Sequence, residues 1–251
     1  MRIANAFAKA QPALMPFIMA GDPSLAATEE IVLALEKAGA DLIELGVPHT
    51  DPLADGPINQ AAAFRALKAG TTLEGILKLV ARLRERGVQI PILLLSYLNP
   101  LLAYGKDLLG SAKAAGIDGL IIPDLPSEEH SWFTGGNDQL PLISFVAPTT
   151  EPKRQKLIAA QARGFLYCVS NTGVTGPKAK LSGELAEFLA KLNKISSLPK
   201  VVGFGIASPQ KAAEVGRMAD GVIVGSALVE ILHQKGLVGG IEFFRKLREA
   251  L

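Results

Sequence analysis

Eight short apolar runs, alternating with segments of helical period after all but the fourth, limit what this chain can become more than any other feature. The runs lie at residues 16–20, 41–45, 92–97, 119–122, 142–146, 165–169, 201–204 and 221–224. Between them, residues 28–38, 60–68, 73–86, 106–115, 153–162, 184–192, 209–215 and 227–232 carry apolar side chains at helical spacing, and 241–251 closes the chain in the same way. Strands this apolar on both faces belong to a parallel sheet covered by helices. Eight strand–helix units in 251 residues favour closure over an open sheet. The expected fold is therefore α/β, one (β/α)₈ TIM barrel spanning residues 1–251, with short additional helices. The segment 132–139 is short and glycine-bearing, so the fourth unit is expected to be partly loop.

Charge is nearly balanced, with 26 Lys and Arg against 24 Asp and Glu. Composition therefore gives no case for binding nucleic acid or membrane surface. No apolar run approaches the roughly 18 residues of a membrane-spanning helix, and the start of the chain lacks the long apolar core of a signal peptide. A single cysteine, Cys168, allows no intrachain disulfide and suits a reducing compartment. The expectation is a cytoplasmic protein, or a plastid one if a transit peptide has been removed. Three histidines and one cysteine, scattered along the chain, show no metal-ligand spacing.

In such barrels the working end is the set of loops after the strands, and a phosphate often binds after strands 7 and 8. The seventh run ends in Gly203-Phe204-Gly205-Ile206 and the eighth in Gly225-Ser226-Ala227. Glycine lets backbone N–H groups approach an anion, and Ser226 begins a helix whose dipole favours one. Gly173-Val174-Thr175-Gly176 offers a third edge. Each turn taken alone is equally a tight βα connection; three in consecutive units favour phosphate. With no Lys or Arg in these turns, the grip is expected from backbone amides.

Acidic residues mark the second unit. Alternation turns Glu44 opposite to Ile43 and Leu45, toward the barrel mouth. A carboxyl in an apolar strand is costly unless it is paired, protonated or useful. Asp41, at the start of the same run, is expected at the opposite, stabilising end. The following loop, Pro48-His49-Thr50-Asp51-Pro52-Leu53-Ala54-Asp55-Gly56-Pro57, adds two carboxylates between stiffening prolines. Asp51 and Asp55 are either turn and cap residues or partners of Glu44 in acid–base work.

The segment Glu44-Leu45-Gly46-Val47-Pro48 with Asp51-Pro52-Leu53-Ala54-Asp55-Gly56-Pro57 resembles the signature of the tryptophan synthase alpha subunit family. The likeness continues through Pro16-Phe17-Ile18, Tyr97-Leu98-Asn99-Pro100, Pro123-Asp124-Leu125-Pro126 and the three glycine motifs. It implies retro-aldol cleavage of indole-3-glycerol phosphate to indole and glyceraldehyde 3-phosphate, with no cofactor in this chain. Glu44 is then the proton shuttle, Asp55 the acceptor for the ring N–H, and Tyr167 a third active-site group that could equally be a core aromatic. Phe17, Leu95, Tyr97 and Phe204 become walls of the indole pocket, though core packing explains them almost as well. Thr175, Gly176, Gly205, Gly225 and Ser226 become lid and phosphate contacts.

The resemblance also implies a beta subunit carrying pyridoxal phosphate, an alpha2-beta2 heterotetramer, and an interface at Asp51, Pro52, Asn99 and Pro100. The chain departs from the family pattern at His49, usually aromatic, at Asn59, usually apolar, and at Asn171, often basic. The competing readings are a stand-alone indole-3-glycerol-phosphate lyase, another phosphate barrel such as an isomerase, and a catalytically weak activator of the beta subunit.

Overall fold

A computed structural model describes residues 2–9, 11–136, 140–169, 178–203 and 205–251. Its strands are β1 (Ala13–Met19), β2 (Ile43–Gly46), β3 (Ile92–Leu95), β4 (Gly119–Ile121), β5 (Leu142–Val146), β6 (Leu166–Val169), β7 (Lys200–Gly203) and β8 (Gly221–Val224). All pair in parallel and in sequence order, and β8 closes on β1, so the expected barrel is the observed one. β1 pairs with β8 along Ala13–Pro16 and with β2 along Phe17–Met19. The stagger that closes a barrel makes β1 begin earlier than its apolar run suggests.

The helices are α1 (Arg2–Ala6), α2 (Leu25–Lys37), α3 (Pro57–Lys68), α4 (Leu73–Glu85), α5 (Leu98–Tyr104), α6 (Leu108–Ala115), α7 (His130–Thr134), α8 (Pro152–Gln161), α9 (Lys178–Asn193), α10 (Pro209–Gly216) and α11 (Ser226–Ala250). Local chemistry sets many of their starts. Ser24, Thr72 and Ser208 accept N–H bonds from Ala27, Gly75 and Lys211, and Pro57, Pro152 and Pro209 open their helices. The fourth unit is short, as expected: a single 3-10 turn, Ser127–Glu129, and the five-residue α7. α11 joins two expected helices across a kink at Gly236, where φ is 66°. Among the described residues no helix is long and apolar enough to cross a membrane.

Two apolar clusters divide the core. One lies between the sheet and its helices, through Leu14, Ile18, Leu45, Leu94 and Val222. The other fills the barrel, with Met15, Phe17, Leu93, Ile121, Ile143, Tyr167 and Ile223, and α1 plugs its floor through Ile3 and Ala6. Interior glycines make this filling possible. A Cβ on Gly203 would stand 2.4 Å from the Tyr167 hydroxyl oxygen, and one on Gly46 2.8 Å from the Phe17 ring. Small residues at these positions leave the upper barrel to Tyr167, Phe17 and a carboxyl.

Two boundaries differ from expectation. β2 starts at Ile43, not Asp41, because the Asp41 carboxylate turns aside to accept the N–H of Leu14 at 2.9 Å. β3 stops at Leu95, and Asn99 and Pro100 lie in the first turn of α5 rather than in a loop. Pro100 is tolerated there because first-turn N–H groups have no helical partner to lose.

Candidate active site

Glu44 stands in the middle of β2, level with Phe17 on β1 and Leu93 on β3. Its register turns the side chain into the barrel, where the residue is 1% exposed. Neither carboxyl oxygen has a hydrogen-bond partner among the described residues. Burial alone pushes its pKa up to about 8, so the group is a neutral acid at physiological pH. A buried carboxyl with both oxygens unpartnered is unusual in a folded chain and calls for an explanation.

The loop after β2 brings Asp55 to the same cavity. Asp55 donates its N–H to the Pro52 carbonyl at 3.0 Å and sits just before Gly56, the N-cap of α3. Its Oδ2 accepts from the Tyr97 hydroxyl at 2.9 Å and its Oδ1 from Asn59 Nδ2 at 3.3 Å. Gln60 Nε2 donates to its backbone carbonyl at 2.8 Å. The Tyr97 hydroxyl also accepts the Ala54 N–H at 2.8 Å, tying the loop to the end of β3. Burial, then the Asp55 carboxylate, raise the Tyr97 pKa well above the usual phenol range, so it stays a donor. Asp51 is not part of this group. It is exposed, with its carboxylate on the Thr50 hydroxyl and its carbonyl on the Leu53 N–H, a turn residue in the plainest sense.

Tyr167 comes from β6 and lies against Phe145, ring centroids 4.6 Å apart. Burial first, then Glu44 where it ionises and the Asp55 carboxylate, raise the Tyr167 pKa well above the usual phenol value. A cavity of about 470 Å³ gathers these groups, with Phe17, Leu95, Phe145 and Ile223 among its walls. Gly205, Gly225 and Ser226 form its far rim. Gly205 has φ 73°, a conformation open to glycine, and Ser226 is the first residue of α11. Glu44 and Asp55 are the only acidic side chains lining the cavity among the described residues, and no basic one lines it. An anion at the rim would therefore meet backbone N–H groups, the Ser226 hydroxyl and the dipole of α11.

Of the sequence-expected residues, Glu44, Asp55, Tyr167, Phe17, Leu95, Tyr97, Gly205, Gly225 and Ser226 line one cavity. Thr175, Gly176 and Phe204 lie outside the described residues, as does Asn171. Asp51, Pro52, Asn99 and Pro100 stand outside the cavity lining, Asp51 and Asn99 exposed and the two prolines half-buried. Sequence reasoning missed the Phe145 and Ile223 walls. Each shares strand parity with a neighbour, Ile143 and Gly221, but parity alone does not say which face of a buried strand is the cavity. His49, whose ring centroid lies 5.6 Å from that of Tyr97, joins the loop to the same tyrosine.

A closed parallel barrel, two carboxyls facing an apolar cavity and an amide-rich rim define a barrel enzyme for a small phosphorylated substrate. Comparison with known proteins makes the class particular. The profile of the tryptophan synthase alpha chain family matches residues 3–242, and the chain belongs to that family. An alpha chain from Citrifermentans bemidjiense is 50% identical over 240 residues, covering 93% of this chain and 90% of its own length. One from Chloroflexus aurantiacus is 48% identical and covers 100% of this chain and 98% of its own. Among solved structures, tryptophan synthase subunit alpha from Legionella pneumophila is similar with a TM-score of 0.90 at 35% identity, covering 99% of this chain and 97% of that one. Tryptophan synthase from M. tuberculosis in its aminoacrylate-bound form has a TM-score of 0.87 at 33% identity, covering 99% and 98%.

Proposed function

We infer that this chain is a lyase that cleaves indole-3-glycerol phosphate to indole and glyceraldehyde 3-phosphate. Family membership supports the reaction. The observation that carries the chemistry is Glu44, a neutral buried acid without a partner among the described residues, lining an apolar cavity.

The reaction balances on that one group. Glu44 gives its proton to C3 of the indole ring, and the ring becomes a cation that can accept an electron pair. The Glu44 carboxylate then takes the proton of the adjacent glycerol hydroxyl. The carbon–carbon bond breaks, its electron pair returns to the ring, and the hydroxyl carbon becomes the aldehyde. Glu44 ends protonated, as it began, so no external acid or base is consumed. Asp55, held by Tyr97 and Asn59, accepts the ring N–H and offsets the positive charge that appears there. Tyr167 closes the cavity beside the two carboxyls as a neutral phenol. The rim at Gly205, Gly225 and Ser226 holds the phosphate and contributes anchoring rather than chemistry.

The indole goes on to a beta subunit, which carries the pyridoxal phosphate, in an alpha2-beta2 assembly. Support comes from the surface beside the cavity loop. Leu53 is 92% exposed between Pro52 and Ala54, and Leu102 of α5 is 48% exposed near Asn99 and Pro100. A beta subunit docked at Asp51, Pro52, Asn99 and Pro100 would cover these two side chains as well. The test is indole release from indole-3-glycerol phosphate by the purified chain, alone and with a beta subunit. Release that rises with the partner, together with co-elution, is expected. Release unchanged by the partner, without co-elution, would leave a stand-alone lyase; no release in either case would overturn the assignment.

A further inference from the structure

We propose that Asn59 is a specificity-determining residue that gives the ring end of the cavity a second hydrogen-bond acceptor, so that the site takes indole rings bearing an added O–H or N–H donor.

Asn59 stands in the first turn of α3 and lines the cavity that holds Glu44 and Asp55. Its amide is oriented by chemistry. The Asp55 carboxylate can only accept, so the Nδ2 group faces it, at 3.3 Å, and the carbonyl oxygen faces away. That oxygen, Oδ1, is buried and meets no donor among the described residues. A buried amide carbonyl without a partner forfeits the hydrogen bonds it made in water, unless a ligand restores one. Both Asp55 oxygens already hold a donor from the protein, Tyr97 on one and Asn59 on the other. Asn59 cannot turn its oxygen toward Asp55 without setting two acceptors against each other, so the oxygen stays turned away from Asp55 and without a donor among the described residues.

The position of this acceptor follows from its neighbour and rests on the proposed function. If Asp55 receives the ring N–H, a residue bonded to Asp55 stands beside the same ring. The surrounding walls, Phe17, Leu95 and Phe145, offer a substituent only apolar contact. A hydroxyl or amino group on the ring edge facing Asn59 therefore finds one matched acceptor. A methyl group of similar size placed there leaves that acceptor unpartnered. Sites built to receive a donor discriminate against analogues that lack it far more sharply than apolar pockets discriminate by size.

The test runs the reaction in reverse, condensing glyceraldehyde 3-phosphate with indole, with hydroxyindoles and with the corresponding methylindoles at each open ring carbon. For the parent chain, at least one hydroxyindole should exceed its methyl counterpart in kcat/KM by about tenfold. In Asn59→Leu that ratio should fall to one or below; condensation of every indole falls as well, because the variant also removes the Asn59 donor to Asp55, and the ratio cancels that common loss. If Asn59→Leu fails to fold, judged by thermal unfolding, Asn59→Ala reads the same ratio. Equal hydroxyl-to-methyl ratios in parent and variant at every position would overturn the proposal. A parent chain that condenses no indole at all would instead overturn the lyase reading beneath it, so the two failures are distinct.

Discussion

Two buried carboxyls stand three positions apart at the second strand, and their surroundings are opposite. Asp41, 3% exposed, lies just below β2 at the floor of the barrel. It is bonded to Lys9, to Arg248 at 2.8 Å and to the Leu14 N–H at 2.9 Å. Glu44, 1% exposed, lies within β2 near the mouth and is bonded to nothing among the described residues. The floor repeats its pattern. Asp118, before β4, holds Arg84 at 2.6 Å, Arg2 at 3.1 Å and the Ile92 N–H at 2.9 Å. Asp220, before β8, takes the Lys200 N–H at 2.7 Å. Carboxylates at the floor thus join strand starts and bury their charge among donors. The carboxyl at the mouth is left neutral and unpartnered, which costs stability and leaves it free to exchange protons with a substrate.

The sharpest way to break this comparison is to remove the acid at the mouth. Glu44→Gln keeps shape and neutrality but has no proton to give. Cleavage is expected to fall by about 10²- to 10⁴-fold, measured as single-turnover indole release, with substrate binding held within a few-fold. Turnover near that of the parent would move the acid–base role to another group. In the parent, cleavage should decline as pH rises through about 8, where Glu44 loses the proton it donates.

Stability should show the same group with the opposite sign. The folded Glu44 keeps its proton up to about pH 8, whereas the unfolded chain releases it near 4.5. Between those values the folded state binds the extra proton, so its stability falls as pH rises. The contribution is fully present below pH 4.5 and is gone above about 8. The loss is on the order of a few kcal/mol, and Glu44→Gln should escape it. Urea unfolding at pH 5 and pH 9 should therefore show the variant gaining on the parent at the higher pH. A constant difference at both would mean that Glu44 is already ionised in the fold.

At the floor the expectation reverses. Asp41→Asn leaves Arg248, whose Nε already lacks a partner among the described residues, without its counter-charge. Breaking a buried pair from one side costs about 3 kcal/mol, while kcat of the folded fraction should stay near the parent value. A variant that unfolds at the parent's urea midpoint would show that the floor network carries no stability. A fall in kcat at full folding would show that the two ends of β2 are coupled.

The comparison was only half legible in the sequence. Glu44 announced itself because an acid among Ile43, Leu45 and Gly46 has no ordinary place, and the paired end of Asp41 followed from its position in the same run. The eight strands were legible because nearly all their residues are apolar on both faces. That same uniformity hid Phe145 and Ile223, since a strand with no polar face does not say which side is the cavity. α5 was hidden for a different reason. Its N-cap, Tyr97, makes no side-chain cap, and the Leu98 N–H is taken instead by Asp124, 2.9 Å away at the end of the next strand unit. A cap supplied from 26 residues along the chain leaves no local start signal. Asn59 stood out by sequence only as a departure; its bond to Asp55 needed the helix turn that places the two four residues apart.

Tyr97→Phe gives the smallest effect and the finest cut, because it separates holding Asp55 from being Asp55. The substitution removes the donor to Asp55 Oδ2 and the acceptor for the Ala54 N–H. Ala54 is exposed, so water replaces its lost partner and little stability should be lost. Asp55 keeps Asn59 on its other oxygen and a backbone held by Gln60, so it loses alignment rather than place. A hydrogen bond to a charged acceptor is worth about 1.5 kcal/mol, which predicts a fall in kcat of about tenfold with KM nearly unchanged. A rise in KM at constant kcat would instead make Tyr97 a wall of the indole pocket. Asn59 and the loop backbone would then be what holds Asp55 in place, and the mouth would keep one acid tied to the scaffold beside one that is not.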